Sequence, residues 1–162
     1  MKTRIVITVF LLAIAGGLFF YSSSIQTSYT NKFENKLINC SSRLVYFQEN
    51  MREHLLLTYM VDEKEQTGVV SLEGVVYIDD VNKGVIHRHV TFSYVKNNST
   101  YIFTSRDIHP IKGENLPQSD VNKALPDFYV STGHNITYTI QKVGKAGYLF
   151  SVGKIPRFFC EL

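Results

Sequence analysis

The stretch Val70-Ser71-Leu72-Glu73-Gly74-Val75-Val76-Tyr77-Ile78, followed by Asp79-Asp80-Val81-Asn82-Lys83-Gly84 and then by Val85-Ile86-His87-Arg88-His89-Val90-Thr91-Phe92-Ser93-Tyr94, decides the fold. Val70, Leu72, Val76 and Ile78 recur every second position, which puts them on one face of a strand. Gly74 leaves a gap in that face, where a bulge or a closely approaching backbone fits. Residues 79–84 are turn chemistry. Alternation then resumes, with Ile86, Val90, Phe92 and Tyr94 on one face and His87, His89, Thr91 and Ser93 on the other. Lys96-Asn97-Asn98-Ser99 is a second turn, and Tyr101 with Phe103 opens a third strand. Three strands joined by short loops make an antiparallel meander.

Working outward, residues 43–48 and 54–61 are two more β-like runs, the second less distinct because Leu55-Leu56-Leu57 also suits a helix. Downstream, residues 115–126 form a connection in which Ser119 or Asp120 can cap a short helix holding Val121, Ala124 and Leu125. Ile136, Tyr138 and Ile140 alternate again, and residues 148–152 and 157–160 end the chain as strands. The expectation is a mainly β fold of about eight short strands: a meander, curved sheet or small lipocalin-like barrel with one or two short helices. A barrel of that size either fills its interior or holds one small ligand.

The N-terminal end has a different character. Residues 5–21 carry no charge, follow Lys2 and Arg4, and precede three serines. Seventeen residues of helix span roughly 25 Å, close to the hydrocarbon thickness of a bilayer. The expected organisation is a cytoplasmic tail (1–4), a transmembrane signal anchor (5–21) in contact with lipid, a juxtamembrane segment with helical character (22–39) and an exported β-rich domain (40–162). A cleaved signal peptide is the rival, but cutting after Ala13-Ile14-Ala15 would leave an apolar stub. The basic pair predicts a cytoplasmic N-terminus and a periplasmic C-terminal domain in a bacterial inner membrane.

Charge narrows the partners. Lys2 and Arg4 are two of the 17 basic residues, so 15 remain beyond the apolar run against 14 acidic ones. A nearly neutral domain is not built for nucleic acid. The two cysteines, Cys40 and Cys160, lie near the two ends of the β-rich part. In an oxidising compartment they most simply form one bridge, the alternative being two buried free thiols.

Chemistry-bearing motifs are sparse. His87 and His89 share a strand face and could share Zn²⁺ or Cu²⁺, but a site needs a further ligand such as His54, His109 or His134. The plainer reading is two polar residues on a solvated face, and no metal or cofactor is expected. No nucleophile elbow, Ser-x-x-Lys or phosphate loop occurs, and Asp79-Asp80 sits in a turn, so no catalytic residue is assigned and the chain is not expected to be an enzyme.

The order of features resembles a known family. The basic N-terminus and anchor, Cys40, Gly68 and Gly74, residues 89–94 (HVTFSY), 125–129 (LPDFY), 147–151 (GYLFS) and 156–160 (PRFFC) together resemble the FidL-like membrane proteins of enterobacteria. That resemblance implies an inner-membrane protein with no catalytic residue to carry over. Genes of the family that it resembles often stand beside membrane-bound winged-helix regulators, an arrangement similar to the ToxR and ToxS pair. The layout therefore implies an accessory partner of a ToxR-like transcription regulator, docked by strand addition around Phe158 or Val45. A periplasmic sensor of a small amphiphile and a structural envelope protein are the alternatives.

Overall fold

The computed structural model describes residues 37–162. Eight antiparallel strands follow one another around a closed barrel. They are β1 (Leu37–Gln48), β2 (Met51–Asp62), β3 (Thr67–Ile78), β4 (Val81–Asn97), β5 (Thr100–Pro110), β6 (Asn135–Val143), β7 (Gly147–Val152) and β8 (Ile155–Glu161). Between β5 and β6 lie a short helix, α1 (Gln118–Ala124), and a 3₁₀ turn at Asp127–Tyr129. The predicted mainly β architecture and the strand count both hold. Among these residues no helix is long and apolar enough to cross a membrane. The predicted anchor, 5–21, and the cytoplasmic tail lie outside the described residues.

Several boundaries differ from the sequence expectation; β2, for one, begins at Met51 rather than at residue 54, and Lys96 and Asn97 of the expected second turn belong to β4. Residues 37–39, assigned to a helical juxtamembrane segment, belong to β1, because Ile38 pairs with Val61 and buries its side chain in the core. The turn expected over 79–84 contracts to Asp79-Asp80, both at positive φ. Such a two-residue turn matches strand twist, and Asp tolerates that conformation, so β4 starts already at Val81. Helix α1 starts after Pro117, with no side chain capping it; Ser119 and Asp120 lie inside its first turn.

The core is the barrel interior. β2 points Met51, Glu53, Leu55, Leu57, Tyr59 and Val61 inward, and β4 does the same with Ile86, Arg88, Val90, Phe92 and Tyr94. Aromatic rings fill much of the space: Phe92 and Phe103 have centroids 4.6 Å apart, and Phe150 stacks on Phe158 at 4.6 Å. Gly74 faces the carbonyl of His54, where a Cβ would come within 2.1 Å of the oxygen, so the gap read from the sequence is a close backbone approach. The register shift on β3 falls elsewhere, between Val76 and Tyr77, in its pairing with β4.

Candidate functional site

Closure of the barrel is uneven. Every neighbouring pair from β1 to β8 shares at least five residue pairs, whereas β1 and β8 meet at Ser41 and Glu161 alone. Next to that contact Cys40 and Cys160 form a disulfide, with their Cα atoms 5.3 Å apart. Beyond it, residues 42–48 of β1 pair with β2 on one side and, among the described residues, with no strand on the other. A cleft of about 550 Å³ runs between the two edges, lined by Ser42, Leu44, Val45, Arg157 and Phe158 among others. On the same stretch of β1, Val45 and Phe47 are 53% and 67% exposed, high for large apolar side chains.

Below this seam lies a cavity of about 620 Å³. Leu55, Leu57, Leu72, Ile136 and Phe158 give it apolar walls, α1 and the following residues lid one side with Ala124, Leu125 and Tyr129, and Lys123 and Arg157 stand at its edge. Glu53 is the exception in these walls. Its inward register on β2 buries it to 1% exposure, and its Oε1 has no hydrogen-bond partner among the described residues. Burial away from water disfavours the carboxylate and pushes its pKa up to about 7. An unsatisfied buried acceptor carries a desolvation cost of about 1–3 kcal/mol, so the position is costly for the fold alone.

A second buried charge is fully answered. Arg88 is 1% exposed; its Nε donates to Glu114 Oε2 at 3.0 Å, its Nη2 donates to Glu114 Oε1, and its Nη1 donates to the carbonyl of Tyr129 at 3.2 Å. The guanidinium thereby ties β4 to the loop before α1 and to the 3₁₀ turn. Tyr59 and Tyr129 share a hydroxyl hydrogen bond of 2.6 Å deep in the same interior, and burial raises both pKa values.

His87 and His89 share the outer face of β4, with ring centroids 6.3 Å apart. Among the described residues no group of three His, Cys, Asp or Glu side chains converges to hold a metal, so His54, His109 and His134 complete no site with them. Glu53 and Arg88 escaped the sequence reading although their signal was present. Both sit at inward parity: Glu53 directly before the run taken to begin at His54, Arg88 between Ile86 and Val90.

Comparison with known proteins places the same segment. Over 139 residues the chain is 28% identical to the uncharacterized protein YqeJ of Escherichia coli (strain K12), covering 83% of this chain and 86% of that one. The YqeJ C-terminal domain family matches residues 37–160, from the first residue of β1 to the disulfide cysteine of β8. That match takes in all eight strands but for Glu161 at the end of β8, and the chain accordingly belongs to the YqeJ C-terminal domain family.

Proposed function

We propose that the chain is a single-pass inner-membrane accessory protein, anchored by residues 5–21, whose β-barrel docks the periplasmic domain of a membrane-bound ToxR-like regulator. The role is non-catalytic. The observation that carries it is the β1–β8 seam: two strand edges held together by one residue pair and a disulfide, with residues 42–48 unpaired on that side among the described residues and so able to accept a strand. Natural barrels avoid edges, because a free edge is a template for pairing with another chain. Val45 and Phe47 offer apolar contact to an added strand, which main-chain hydrogen bonds would hold in register.

Co-purification of the full chain with the regulator's periplasmic domain in oxidising buffer tests this. Association at micromolar concentration is expected, weakened at least tenfold by the double substitution Val45→Asp, Phe47→Asp, which alters exposed positions only. Absence of any association at that concentration overturns the reading. The cavity under the seam favours a second reading, a sensor of a small amphiphile.

A further inference from the structure

The geometry points to the cavity beneath the seam as a site for a small lipophilic amine, whose protonated nitrogen donates to Glu53 while its apolar part lies among Leu55, Leu57, Leu72 and Phe158. This inference rests on the second reading, ligand binding in the barrel, and not on docking of a regulator. It adds what that reading leaves open, the charge of the ligand.

Three observations carry it. The cavity, at about 620 Å³, lies within the range of small-molecule sites and is walled mainly by aliphatic and aromatic side chains. Glu53 lines it, is 1% exposed, and its buried Oε1 has no donor among the described residues. A carboxyl oxygen without a partner accepts, so the ligand must bring N–H or O–H. An ammonium brings the stronger bond, because charge assistance roughly doubles a hydrogen bond and a low-dielectric wall strengthens it further.

The other ionisable groups around the cavity do not answer Glu53. Tyr129 from the 3₁₀ turn and Tyr138 from β6 are neutral, since burial raises both pKa values. On α1, Lys123 points its ammonium toward Asp120 at 3.9 Å. Arg157 on β8 is exposed at the edge, as is Tyr46 on β1. The two cations at the mouth, Lys123 and Arg157, would favour an anionic head instead, which makes head-group charge the deciding variable.

The test uses one chain length and three heads: n-octylamine, 1-octanol and octanoate, titrated into the full chain in phosphatidylcholine nanodiscs. Methyl NMR shifts of Leu55, Leu57, Leu72 and Ile136 report entry into the cavity itself. At pH 8 the amine is expected to bind at least tenfold tighter than the alcohol, and octanoate weakest. Below pH 7 the advantage should fall by about tenfold per pH unit as Glu53 takes up a proton in the free protein. Glu53→Gln should bind amine and alcohol alike at every pH. Tightest binding of octanoate, or an amine preference that survives Glu53→Gln, overturns the amine assignment while leaving ligand binding standing. No methyl shift with any of the three overturns both.

Discussion

At the scale of single residues the barrel carries two buried charges with opposite consequences. Glu53 has its pKa raised from 4.5 to about 7 by burial. For an acid a raised folded pKa means the protonated form is the one the fold favours. Below pH 4.5 both folded and unfolded chains are protonated and nothing is lost; between pH 4.5 and 7 only the unfolded chain ionises, and stability falls as pH rises. Above pH 7 the loss is complete, at about 3 kcal/mol. Urea denaturation of Glu53→Gln should lack that decline and show a protein more stable by a similar amount at pH 8. Arg88 behaves in the opposite sense, because Glu114 and the Tyr129 carbonyl satisfy it. Arg88→Ala leaves Glu114 9% exposed without its partner and should cost about 3–5 kcal/mol, whereas the pair Arg88→Met, Glu114→Met should cost clearly less. Both positions were legible in principle, since a charged residue at inward parity of an alternating strand is an anomaly that period two exposes. What no spacing could reveal is the answer to each charge: Glu114 stands 26 residues from Arg88, on a loop whose path depends on the whole barrel.

At the scale of elements, alternation read on its own named nearly every strand, because a sheet with one face in the core and the other in water must repeat every second residue. Boundaries were harder to place, and the reason differs by turn. Val81 to Lys83 look like loop, since polar Asp80 and Asn82 flank the one apolar residue, yet Val81 pairs with Ile78 and the strand simply protrudes past the core into solvent. The helical reading of residues 37–39 gives way to a strand on tertiary grounds: Ile38 has a core position opposite Val61 that local sequence does not announce. Among the turns, Gly147 is the one where backbone proximity is tightest beside the seam. A Cβ there would lie 2.1 Å from the Cys160 carbonyl oxygen, and backbone cannot yield as a side-chain tip can. Gly147→Ala should therefore lower stability by about 1–3 kcal/mol in denaturant titration, and amide exchange should quicken first in β7 and β8.

At the scale of the whole molecule, the disulfide substitutes for the ladder that β1 and β8 do not form. With a single residue pair between them, the two ends of the barrel would separate readily in solution, opening the cavity and the seam together. The Cys40–Cys160 bond closes a span of 120 residues. In the chain-entropy account a loop of that length stabilises by about 5 kcal/mol, a figure that residual structure in the unfolded chain lowers. Replacing both cysteines by serine should therefore cost about 2–5 kcal/mol, measured by urea denaturation under non-reducing conditions. The loss should also be uneven in space. β2, β3 and β4 pair with each other over twelve residues per hairpin and do not depend on the bond, so their amides should keep their protection. Residues 38–42 and 155–161 should exchange much faster, because only Ser41 and Glu161 then hold them together. Uniform loss of protection around all eight strands would instead mean that the barrel unfolds as one unit, and that the seam is no weaker than the ladders on either side of it.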